Sequence, residues 1–104
     1  MPWRIIVTEE YERRFARLDT SIQRQVEKEL RQLEVNPYVG KSLGYKFFRE
    51  KKILNHRVYY IIYEELVVVF VVSLSDKKGQ QKAISAIKTL IPFYREEIMK
   101  RVRP

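Results

Sequence analysis

The chain is predicted to be an α+β domain: an N-terminal strand, an antiparallel helix hairpin, a three-stranded antiparallel meander and a C-terminal helical segment. Three observations predict this. Val67 to Val72 is an unbroken apolar run, so its strand needs cover on both faces. The residues before it, Arg57 to Tyr63, make a tyrosine-rich strand that pairs with it through Glu64-Glu65. Ahead of both lie two stretches with apolar residues at helical spacing.

Trp3 to Thr8 reads as a short strand between Pro2 and Glu9-Glu10. Glu9 to Leu18 follows as a helix, with Tyr11, Phe15 and Leu18 on one face. Asp19-Thr20-Ser21 interrupts it and offers N-caps for a second helix, Ser21 to Glu34, whose apolar stripe is Ile22, Val26, Leu30 and Leu33. So short a link predicts an antiparallel pair. Asn36-Pro37 ends the second helix, because a residue before proline avoids the helical region.

Tyr38 to Gly44 reads as a loop and Tyr45 to Leu54 as the first meander strand. Asn55-His56 supplies the tight turn, asparagine tolerating positive φ. Arg57 to Tyr63 and Leu66 to Leu74 complete the meander. The N-terminal strand is the natural neighbour for the free edge of the apolar strand, which gives a four-stranded sheet with the two early helices on one face. After the loop Ser75 to Gly79, Ile84, Ile87, Ile91, Tyr94, Ile98 and Val102 form one helical stripe, in which Pro92 is either a kink or the first turn of a separate helix.

At 104 residues this is one domain, with a core at 1–78 and a helical extension at 79–104. A hydrophobic share of 45% excludes general disorder. The chain has no cysteine and one histidine, which argues against disulfides and against a transition-metal site built by the protein; no cofactor is expected. No apolar run reaches the roughly 18 residues of a membrane span, and Met1-Pro2-Trp3-Arg4 lacks a signal-peptide pattern, so a cytoplasmic location without membrane partners is expected. With 21 Lys+Arg against 13 Asp+Glu, the formal charge of +8 suits a polyanionic partner, either nucleic acid or an acidic protein.

The element order, the segment His56-Arg57-Val58-Tyr59-Tyr60 and the run from Val67 to Ser73 carry a family resemblance. Asn36-Pro37 after the second helix and Gly40-Lys41-Ser42-Leu43 before the meander agree with it. Together they resemble the RelE/ParE superfamily of toxins from type II toxin–antitoxin modules, over roughly Trp3 to Lys78. The RelE-like resemblance implies a metal-independent, ribosome-dependent endoribonuclease, an mRNA interferase that inhibits translation by cutting mRNA. It implies three partners: the ribosome, mRNA and a cognate RelB-like antitoxin. The ParE branch shares the fold but poisons gyrase, so the alternatives are a ParE-like or degenerate toxin without nuclease activity, or a basic binding module.

Cleavage of this kind needs a group to take the 2′-OH proton, cations to stabilise the phosphorane and a group to protonate the leaving 5′-oxygen. The resemblance implies that Arg57 contacts the scissile phosphate, a task suited to a permanently charged, bidentate guanidinium. It implies Arg49 and Lys51 as active-site cations, which share one face of their strand by the two-residue period; a one-residue slip puts Glu50 and Lys52 there instead. Lys77 stands where the family carries a supporting arginine, and Ala83 where it carries a tyrosine. Tyr94 stands as a substitute for that tyrosine if the last helix folds back. His56, the one histidine of the chain, is a further acid–base candidate, at a position where the resemblance implies tyrosine in related toxins. Lys41, Lys46, Lys52 and Lys78 are candidates for RNA-backbone contacts.

Overall fold

The computed structural model describes residues 2–103. Its elements are strand β1 (Arg4–Val7), helices α1 (Glu9–Ala16) and α2 (Thr20–Val35), strands β2 (Lys41–Tyr45), β3 (Phe48–Ile53), β4 (His56–Tyr63) and β5 (Val68–Asp76), and helix α3 (Gln80–Val102). Short 3₁₀ turns occupy Pro37–Val39 and Glu64–Leu66. No helix among the described residues is long and apolar enough to cross a membrane.

The sheet has five strands in the order β1-β5-β4-β3-β2, with β1 parallel to β5 and the remaining pairs antiparallel. This corrects the four-stranded expectation. The extra strand is β2, in a segment that reads as loop because Lys41-Ser42-Leu43-Gly44-Tyr45 lacks a β-branched residue and exposes most of its length. Pairing with β3 (Lys41 opposite Glu50, Ser42 opposite Arg49) makes it an edge strand, and the turn Lys46-Phe47 divides what reads as one strand from Tyr45 to Leu54.

The sheet is sandwiched. On one face α1 and α2 pack Tyr11, Val26 and Leu33 against Val58, Tyr60, Ile62, Val69 and Val71. On the other α3 packs Ile87, Tyr94 and Ile98 against Phe48, Tyr59, Ile61, Phe70 and Val72. Strands β4 and β5 are thus buried on both faces, as the apolar run requires. Each fully buried large apolar side chain contributes about 1.5–3 kcal/mol.

Local chemistry fixes the joints. Thr8 caps α1: its hydroxyl accepts from the Tyr11 amide at 3.1 Å and donates to the Val72 carbonyl at 2.7 Å, tying the helix to β5. Asn36 accepts from the Tyr38 amide at 3.0 Å where α2 gives way to Pro37. The hairpin from β3 to β4 turns through Leu54-Asn55, with Ile53 opposite His56, and Leu54 is the residue at positive φ (56°). The expected turn at Asn55-His56 is therefore displaced by one residue, because the β3–β4 ladder extends to His56.

Pro92 lies inside a single helix α3. Its missing N–H forfeits the bond to the Lys88 carbonyl. Before it, the Gln80 side chain reaches Glu50. After it, Arg95 pairs with Glu65 at 2.8 Å and Arg101 donates to the Val7 carbonyl at 2.7 Å, so the helix is fastened at both ends.

A bulge in β5 changes which of its side chains face α3. Tyr59 lies opposite Ser73 but Tyr60 opposite Val71, which leaves Val72 as the extra residue. Val69, Val71 and Leu74 face α1 and α2, whereas Phe70 and Val72 face α3. The extra residue carries Ser75 to the α3 side, where its Oγ lies 2.8 Å from Tyr59 Oη.

Candidate phosphate-binding site

Where β3 ends, β4 begins and α3 starts, an open groove of about 510 Å³ is lined by Val39, Gly40, Lys41, Glu50, Lys51, Lys52, Arg57 and Gln80. Four of these eight are cations and one is a carboxylate. The arrangement follows from register. Lys52 lies opposite Arg57, and Glu50 lies opposite Tyr59, which belongs to the α3-side core. Glu50, Lys52, Arg57 and Tyr59 therefore share that face.

Arg57 lines the groove from β4. It is 7% exposed, and among the described residues it forms no ion pair; one Nη1 donates to the His56 carbonyl at 3.3 Å. A guanidinium has five N–H donors, so a nearly buried arginine with one long bond retains most of its capacity for a ligand. Glu50, 6% exposed, accepts both available contacts from Gln80 Nε2, at 2.9 and 3.0 Å. Tyr59 lies opposite Glu50 and two residues along β4 from Arg57. Burial pushes its phenol pKa up, the Ser75 hydroxyl and Arg57 pull it down, and Glu50 and Asp76 push it up further, so at neutral pH it is a hydroxyl able to donate.

The register corrects the expected placement of Arg49 and Lys51. They lie opposite Tyr60 and Val58, on the α1–α2 side of the sheet and not on the face of Arg57. Any two-residue turn here pairs an even-numbered residue of β3 with Arg57, so Glu50 and Lys52, and not Arg49 and Lys51, share its face. Arg49 is occupied with holding the 38–46 segment: Nη1 donates to the Gly40 carbonyl at 2.6 Å and to that of Tyr38 at 3.3 Å, and Nε to that of Lys46 at 2.9 Å. Its guanidinium also stands 5.3 Å from the Tyr38 ring centre. Lys51 lines the groove from that opposite side.

His56 lies in line with Val58 and Tyr60, so its ring and the Arg57 side chain leave the strand on opposite faces. Lys77 and Lys78 are exposed in the loop before α3, outside the lining of the groove. Lys46 is at the far end of β3, over the Tyr38 ring at 5.4 Å. Lys41 and Lys52, both exposed, line the groove. Ala83 packs against the α3-side core. Tyr94 packs edge-on against Phe70 at 6.0 Å and does not line the groove. Gln80 and Ser75 are members of the cluster with no sequence signal, since their places depend on the start of α3 and on the bulge. Among the described residues no three His, Cys, Asp or Glu side chains gather in a metal-binding group.

Residues 5–79 match the family model described as the ParE toxin of the type II toxin–antitoxin system parDE. The chain belongs to this family, within the RelE/ParE superfamily of toxins. In fold it is similar to an Escherichia coli RelE mutant in the free state, with a TM-score of 0.71 and 21% identity over 83% of this chain and 93% of that one. It is likewise similar to the intact E. coli RelBE toxin–antitoxin complex (TM-score 0.66, 23% identity, 71% of this chain and 95% of that one). A third likeness is the RelBE2 toxin–antitoxin complex of Mycobacterium tuberculosis (TM-score 0.67, 21% identity, 74% and 100%). No curated protein matches the chain in sequence.

Proposed function

We propose that this toxin is a RelE-type mRNA endonuclease that inhibits translation on the ribosome. The observation that carries the reading is Arg57: a nearly buried guanidinium without an ion pair among the described residues, facing a groove with Lys41, Lys51 and Lys52. A phosphodiester is the ligand that such a fork binds best. In the cleavage step the 2′-oxygen attacks phosphorus and the 5′-oxygen leaves. Glu50, the carboxylate in the groove, accepts the 2′-OH proton; Arg57 and Lys52 hold the equatorial oxygens; and the Lys52 ammonium supplies the proton to the leaving oxygen. Support for an antitoxin partner comes from the RelB complexes among the similar structures and from the charge of +8, which suits an acidic wrapper.

Induced expression is expected to arrest growth and to cut mRNA in a reconstituted translating system. Arg57→Ala should abolish both effects, and Arg57→Lys should retain a small part, because it keeps charge but loses the fork. Intact mRNA on ribosomes exposed to the folded toxin overturns the reading. A second reading, a toxin without nuclease activity such as a gyrase poison, is favoured by the match to the ParE model and by Ala83 at the position where a RelE-like site carries tyrosine. Gyrase inhibition with uncut mRNA selects it.

A further inference from the structure

Glu50 and Arg57 are opposite charges, both nearly buried, on one face of one hairpin. Glu50 lies opposite Tyr59 and Arg57 opposite Lys52, so the two are diagonal neighbours, roughly 7–8 Å apart at the backbone. Their side chains are long enough to meet across that gap. Both have lost most of their hydration, and pairing is the ordinary compensation for buried opposite charges. They do not pair in this structure: Glu50 is held on both oxygens by Gln80, and Arg57 is left with its bond to the His56 carbonyl.

Gln80 suits the task of keeping them apart. It is the first residue of α3, whose position is fixed from behind by Ile87, Tyr94 and Ile98 in the core. A primary amide can satisfy a carboxylate without bringing a charge that would cancel it. Tyr59, which neighbours both, is engaged with Ser75 and forms no bond to either.

We propose that Gln80 is a positioning residue: its amide holds the Glu50 carboxylate off Arg57 and so keeps the guanidinium open for a phosphodiester. The inference rests on the reading of Arg57 as a phosphate ligand. Without the amide, Glu50 is free to turn onto Arg57 and competes with the phosphate as an internal anion. The chain thus keeps a nucleotide-binding arginine and a proton-accepting carboxylate in one groove without letting them neutralise each other.

The test uses the purified full-length toxin and a short single-stranded RNA with 2′-O-methyl riboses, which binds but has no attacking hydroxyl. Affinity is read by fluorescence anisotropy at one fixed salt concentration. Gln80→Met, which keeps the volume and lacks the amide, is expected to weaken binding roughly ten- to hundredfold, the worth of a hydrogen bond to a charged group. Gln80→Ala should do the same. Adding Glu50→Gln to either variant should restore binding, because the competing charge is gone. A role for Gln80 confined to stabilising the start of α3 predicts no such rescue. Wild-type binding by Gln80→Met, or a loss that persists in the double variant, overturns the proposal while leaving Arg57 in place. Unchanged binding by Arg57→Ala overturns the phosphate reading itself, and this inference with it.

Discussion

The Gly40 amide donates to the Tyr60 hydroxyl at 3.2 Å, and that hydroxyl donates to the Pro37 carbonyl at 2.6 Å. A Cβ on Gly40 would come within 2.3 Å of Tyr60 Oη and 2.6 Å of the Glu50 carbonyl. The glycine is required by space and not by its φ of −74°. Gly40→Ala is therefore expected to cost about 1–3 kcal/mol through overpacking, since one of the two obstructing atoms is backbone that cannot swing aside. Urea unfolding of the variant checks this; a cost near zero would show that the 37–41 segment shifts freely.

Arg49 and Arg57 should separate cleanly in experiment. Arg49→Ala strands three carbonyl contacts of the 38–46 segment and should lower stability by about 2 kcal/mol. Toxicity per folded molecule should survive it. Arg57→Ala should do the reverse, with toxicity lost and stability little changed, because Arg57 makes one long bond. Thermal unfolding and growth assays on the two variants decide the matter.

Among the described residues, two that are not glycine carry backbone strain. Leu54 has φ 56° and is 61% exposed; Val67 has φ 53°, ψ 46° and is 41% exposed. The left-handed region costs an L-residue about 1–2 kcal/mol. Relief of that strain, less the added freedom of the unfolded chain, should leave Leu54→Gly and Val67→Gly each more stable by about 0.5–1 kcal/mol. A rise in melting temperature is the expected result, larger for the β-branched Val67.

The buried tyrosines predict alkaline lability. Burial is the first cause that raises the Tyr60 phenol to about 12 and Tyr94 likewise to about 12, from 10.0. A raised folded-state pKa means the native state holds the proton more tightly than the unfolded chain. The associated stability is complete below pH about 10 and is lost as pH rises towards 12. Denaturation midpoints should fall across that window, and Tyr60→Phe should flatten part of the fall. A pH-independent midpoint would contradict the burial of these rings.

Most of the architecture is legible in residue order. The apolar run at Val67 to Val72 demands a central strand, Tyr11, Phe15 and Leu18 define α1, and Asn36-Pro37 ends α2. These are local signals: periodicity, capping and the steric rules of proline. They also recover Arg57 at the opening of β4, because its position relative to the apolar run is short-range.

The tertiary structure decided what depends on counting residues across a turn. The ladder closed by Leu54-Asn55 sets Lys52 opposite Arg57, which puts Glu50 and Lys52 on the Arg57 face and leaves Arg49 and Lys51 on the other, with Lys51 lining the groove from that side. A one-residue change in register exchanges the two faces of a strand, and no pattern in the polar run Arg49 to Lys52 opposes it, since every residue there is charged. Likewise the extra residue Val72 turns Ser75 towards Tyr59, and the fold-back of α3 brings Gln80 to Glu50. Sequence alone determined the α+β class and the place of Arg57 near the start of β4. Long-range register and packing determined its company, because those follow from which atoms meet in space and not from neighbours along the chain.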